Sequence, residues 1–157
     1  VCFDTERCRM AIGWTGSFLN LPKKREGLEG VSQPVGKTIF SSSLLPGWAS
    51  PKNSFIEDQP PKQDKKEWVS FGPLPKDWAK WKGLYLNGSR VILSYTVGKA
   101  NVLEMPAYDA AHGAFVRHFE VDSANAPMTM LVASSRPAVA SLNPASAYTL
   151  GSQLIIT

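Results

Sequence analysis

The residues that most often carry chemistry are scarce in this sequence. Two histidines and two cysteines stand among 157 residues. No Cys-x-x-Cys-His run is present, which excludes covalent haem attachment within the segment. The Cys-x-x-Cys and His-Glu-x-x-His spacings of zinc sites are missing too, so a His-rich metal site cannot come from this segment alone. Neither a Gly-x-Ser-x-Gly elbow nor a phosphate-binding glycine loop occurs. No apolar run reaches the roughly 18 residues that cross a bilayer. Asp4, Glu6, Arg7 and Arg9 break up the first stretch, which excludes a signal peptide there. The net charge of +4 is too small and too dispersed to imply a nucleic-acid partner.

What is present is a globular composition, 43% apolar and 19% charged, with twelve Gly and twelve Pro. That many breakers interrupt long helices and suit strands joined by turns. The chain opens on Val1-Cys2-Phe3 without a methionine and stops at Leu154-Ile155-Ile156-Thr157. Both ends are strand-like, which predicts that residues 1–157 form one β domain cut from a longer multidomain protein.

Three textures follow one another. Residues 1–20 read as a hairpin, with Cys8, Met10, Ile12 and Trp14 on one face at period two and a turn from Gly13 to Gly16. A tight turn through Asp4-Thr5-Glu6 would set Cys2 opposite Cys8 as a disulfide; two buried free thiols are the alternative. Residues 21–82 are punctuated by eight prolines, from Pro22 to Pro75, and read as a long Pro-rich loop. Short strands are expected at Thr38–Phe40 and Trp68–Phe71, a solvated loop at Lys62–Glu67, and one helical turn at Asp77–Trp81. Residues 83–157 alternate most clearly. Leu84–Leu86, Arg90–Val97, Asn101–Met105, Ala114–Asp122, Met128–Ala133 and Tyr148–Ile156 are predicted strands, the first two joined at Asn87-Gly88. The fold class expected is mostly β, an antiparallel β-sandwich with little helix. No repeat of roughly 40–50 residues supports complete propeller blades.

Few constellations rise above packing. His118, in Phe115-Val116-Arg117-His118-Phe119-Glu120, reads as a solvent-facing or hydrogen-bonded strand residue, and His112 as a turn residue. Met128 and Met130 read as core. Glu57-Asp58, Glu26 and Glu29 read as surface acids rather than a glycosidase pair. The best functional candidate is the segment from Trp68 to Trp81. There Trp68, Trp78 and Trp81, with Lys80, combine flat rings and polar donors that could stack on sugar faces. The plainer reading is that these tryptophans close one edge of the sandwich.

Two stretches carry a resemblance. The first runs from Cys2-Phe3-Asp4-Thr5 through Ala11-Ile12-Gly13-Trp14-Thr15-Gly16. The second is Gly83-Leu84-Tyr85-Leu86-Asn87-Gly88, then Val91 to Gly98 and Val102-Leu103-Glu104. Over roughly residues 1–122 the chain resembles an uncharacterised domain of large exported planctomycete and verrucomicrobial proteins. There the domain is joined to c-type cytochrome domains and to propellers like those of sugar dehydrogenases. The resemblance implies a periplasmic or extracellular setting near sugar oxidation and electron transfer. It carries over no catalytic residue and no cofactor in this segment. The leading expectation is a non-catalytic scaffold or carbohydrate-binding β domain whose partners are carbohydrate and the neighbouring domains of its parent chain. One alternative is part of a sugar-active oxidoreductase with its cofactor outside this segment, where His118 is the residue to watch. The other is a structural interaction domain without a small ligand.

Overall fold

From Ala79 to Asp122 the chain is an antiparallel meander, and its turns are written in its glycines. The computed structural model describes residues 1–21, 32–42, 44–55, 74–122, 124, 127–133, 147–150 and 153–156. In chain order the strands are β1 (Cys2–Asp4), β2 (Arg9–Asn20), β3 (Gln33–Ser41), β4 (Ala79–Asn87), β5 (Arg90–Val97), β6 (Ala100–Asp109), β7 (Ala114–Asp122), β8 (Met130–Ala133), β9 (Ala147–Leu150) and β10 (Gln153–Ile156). No helix occurs among the described residues. The strands form three antiparallel sheets, ordered β1-β2-β3, β4-β5-β6-β7 and β8-β10-β9. Gly88, Gly98 and Gly113 turn the meander at positive φ of 59°, 57° and 63°, a backbone region that glycine enters without a Cβ clash.

The expected mostly β, sandwich-like architecture is present. One face of the meander is apolar by alternation and packs on the first sheet. Phe3 lies 5.7 Å from the Trp81 ring and 5.6 Å from Tyr95. Phe40 meets Phe115 edge-on at 5.4 Å. Between them Tyr95, Val97 and Val102 are fully enclosed. A segment around Gly47 ties the third sheet to this core. Gly47 N donates to Arg7 O, Leu131 N to Gly47 O, and Ala49 N to Thr129 O, each at 2.9 Å. Trp48 and Met130, joined by a β-bridge, join the buried cluster.

Several expectations change. The Gly13–Gly16 turn is not one: β2 runs straight on to Asn20. Gly16 pairs instead with Gly36, and a Cβ on Gly36 would lie 2.0 Å from Thr15 O, so these glycines permit two backbones to approach. Strict alternation along β2 fails as well. The β1–β2 register slips between Cys2 and Phe3, so that Cys2 faces Ile12 while Phe3 faces Met10. This slip lets Met10 and Gly13 both turn inward. Cys2 and Cys8 therefore never stand opposite each other and are free, Cys2 exposed and Cys8 buried. The Pro-rich region contains a full nine-residue strand, β3, where only Thr38–Phe40 was expected. The helical turn at Asp77–Trp81 is replaced by a short turn after Pro75, and Trp81 belongs to β4. The strand expected at Trp68–Phe71 and the loop at Lys62–Glu67 lie outside the described residues.

Candidate functional site

Pro75 opens the segment that holds the candidate residues. Its carbonyl accepts from Trp78 N at 2.8 Å and from Ala79 N at 2.9 Å, which reverses the chain into β4. Trp78 O then accepts from Gly98 N at 2.6 Å. The Trp78 ring lies over Gly98, where a Cβ would sit 3.1 Å from Cζ3. Gly98 is thus required twice, by its turn and by the ring above it. Trp78 is half-buried, and its Nε1 is enclosed with no hydrogen-bond partner among the described residues.

From Ala79 onward period two sorts the side chains. Ala79 is buried, Lys80 is exposed, and Trp81 turns inward against Phe3 and Tyr95. A register slip between Trp81 and Gly83 then makes Lys82 the extra residue of β4. Lys82 Nζ donates to Asn101 Oδ1 at 3.1 Å. Asn101 in turn donates to the Asp122 carboxylate from Nδ2 and from its backbone N, the latter at 2.9 Å. Lys80 pairs across the strands with Thr96. The result is an open depression of about 490 Å³ lined by Lys80, Trp81, Lys82 and Thr96. Of the sequence-nominated residues, Trp81 and Lys80 meet at this depression. Trp78 sits on the turn that leads into it, and Trp68 lies outside the described residues.

The best-connected polar cluster escaped the sequence reading. Glu104 is wholly enclosed yet charged in type. Its Oε1 accepts from Arg117 Nε at 2.6 Å and its Oε2 from Tyr95 OH at 2.9 Å. Trp48 Nε1 donates to the same Tyr95 hydroxyl at 3.4 Å. The Arg117 guanidinium rests 4.9 Å from the centre of the Phe119 ring. Burial, reinforced by the neighbouring Glu104 charge, pushes the Tyr95 hydroxyl well above its ordinary pKa. Burial likewise pushes the Cys8 thiol up to about 12, with Asp4 and Glu104 adding to it. Both groups keep their protons at neutral pH. The cluster satisfies buried polar atoms between sheets; it presents no open nucleophile or base. The available clue was positional: Glu104 and Arg117 both fall on inward beats of adjacent strands.

The histidines stand apart from it. His118 is exposed on β7, an edge strand, and makes no hydrogen bond with a described residue. His112 lies in the β6–β7 turn, as expected, with Nδ1 2.6 Å from Asp109 Oδ2. That contact holds the Asp109 carboxyl below its usual range. Among the described residues no group of three or more His, Cys, Asp or Glu is arranged to hold a metal ion, and no helix is long and apolar enough to cross a membrane. The model of a family described as a domain of unknown function, DUF6797, matches residues 1–104. Comparisons with curated proteins and with solved structures gave no match.

Proposed function

The chain belongs to the DUF6797 family, and from that premise we propose that it is a non-catalytic β domain that binds carbohydrate within an exported multidomain protein. The observation that supports the reading is the depression over β4 and β5, where one tryptophan, two lysines and a threonine converge on a paired-strand surface. Sugar faces pack on aromatic carbon while their hydroxyls take donors such as Lys80 Nζ and the Thr96 hydroxyl. A rigid sheet holds such a site without a mobile lid. The resemblance of residues 1–122 to domains joined to cytochrome and sugar-dehydrogenase-like propellers supports a periplasmic or extracellular setting. It also supports neighbouring domains of a parent chain as the other partners.

The test is a titration with soluble neutral and acidic polysaccharides followed by tryptophan fluorescence. The expected result is a saturable change that Lys80→Ala weakens about tenfold and Trp81→Phe removes from the spectrum. An unchanged spectrum with every polysaccharide, together with unperturbed backbone resonances of β4 and β5, would discard the binding reading.

A further inference from the structure

The meander has two edge strands, β4 and β7, and they are treated differently. The β7 edge exposes His118 and the charged Glu120 and Asp122, polar side chains that discourage another strand from pairing there. The first half of β4 is guarded in the same manner by Lys80, Lys82 and the register slip beside them. Its second half carries no such device. Leu84, Tyr85 and Leu86 are 51%, 60% and 73% exposed, and Gly83 has open space around its Cβ position. Among the described residues only β5 pairs with β4. An unprotected edge of this kind presents outward N–H and C=O groups flanked by apolar side chains on both faces.

An extended strand can take those groups in place of water, and β4 itself has the matching chemistry. We propose that two copies of this chain associate by antiparallel pairing of residues 83–87 about a two-fold axis through Tyr85. In that register Leu84 faces Leu86 of the other copy twice, Gly83 faces Asn87, and Tyr85 faces its own counterpart. Leu84 and Leu86 lie on one face of the sheet and Tyr85 on the other, so apolar side chains cover the junction above and below. Lys82 falls opposite Gly88, beyond the last paired residue, and Lys80 lies farther out. No like charges meet. Two four-stranded sheets thereby become one of eight, with a two-fold, self-complementary interface. Parallel pairing needs a one-residue offset between the copies and so is not two-fold symmetric in this way.

Sedimentation velocity on the 157-residue chain over a range of concentrations tests this. The expected behaviour is a reversible monomer–dimer equilibrium. Tyr85→Lys places like charges opposite each other on the axis and should raise the dissociation constant at least about tenfold; Phe18→Lys, on the exposed part of β2, should leave it unchanged. Thermal melts of both variants at low concentration check that each is folded. In a Cys2→Ser background, Tyr85→Cys should oxidise to a disulfide-linked dimer, whereas Asn87→Cys should not. A chain that stays monomeric at all concentrations overturns the proposal and leaves the edge to a strand of another protein. So does a dimer that survives Tyr85→Lys or is lost with Phe18→Lys.

Discussion

A carboxylate with no exposed surface is costly unless its oxygens are engaged, and Glu104 has a donor on each, Arg117 on Oε1 and Tyr95 on Oε2. The pair is therefore more damaging to break than to replace. Arg117→Met should destabilise the fold by about 3–5 kcal/mol, because it strands the acid in the core. Adding Glu104→Leu to that variant should recover a large part of the loss, and urea unfolding of the two single variants and the double variant measures it. Tyr95→Phe removes one hydroxyl but orphans two partners, Trp48 Nε1 and Glu104 Oε2, so about 1–3 kcal/mol is expected. None of this was apparent when residues were weighed singly. The alternation of residues 114–122 puts Arg117 on one face with Phe115, Phe119 and Val121, but gives it no partner. Only pairing β6 with β7 and β5, which no local pattern announces, puts the inward beats of Glu104 and Arg117 side by side. That Lys80 and Trp81 lie side by side was legible because they are neighbours in the chain.

Among the elements, those with clean alternation and a glycine turn were legible in advance. β5 and β7 run as their period-two patterns indicate, and Asn87-Gly88 makes the hairpin it advertises. β3 was hidden by its one proline and the Pro-rich sequence around it: Pro34 sits at the margin of an edge strand, where a missing N–H costs little. The tryptophan pair at i, i+3 suggested a helical turn, but Trp81 is drawn into β4 by packing against Phe3 and Tyr95, and tertiary contact outweighs so short a local preference. The glycines separate two kinds of constraint. Gly88 needs its positive φ and has open space around it, so Gly88→Ala should cost only about 1–2 kcal/mol. Gly47 has an ordinary φ, yet a Cβ there would lie 2.0 Å from Cys8 O. Gly47→Ala must push the Trp48 segment off the β1–β2 turn. It should lower the denaturation midpoint further than Gly88→Ala and loosen the bridge between Trp48 and Met130. Hydrogen exchange at Gly47 and Leu131 would show that loosening directly. Equal losses from the two variants would mean that the segment relaxes without strain.

At the scale of the whole molecule, the core holds Cys8 and Tyr95 in their neutral forms, and this sets the alkaline limit of stability. Cys8 ordinarily loses its proton near pH 9.0, but in the fold that requires about pH 12. Burial moves Tyr95 upward from 10.0 in the same direction. A folded pKa above the unfolded one means that the unfolded chain releases protons first as pH rises. The stability that these neutral groups support is therefore complete below about pH 9 and is lost progressively toward pH 12. For Cys8 the loss is on the order of 2–4 kcal/mol across that window. Unfolding free energies measured from pH 7 to 11 should fall along an alkaline limb, and Cys8→Ala should make that limb shallower while leaving the neutral plateau in place. The two thiols give an independent check of the same burial. With a thiol reagent at pH 8, Cys2 should react quickly and Cys8 only at the rate of unfolding, because Cys8 is enclosed and protonated while Cys2 is exposed. One fast equivalent in the folded chain and two in denaturant is the expected count. Two fast equivalents in the folded chain would mean that the Gly47 and Trp48 segment does not seal the first sheet against the core, and the alkaline limb should then disappear with it.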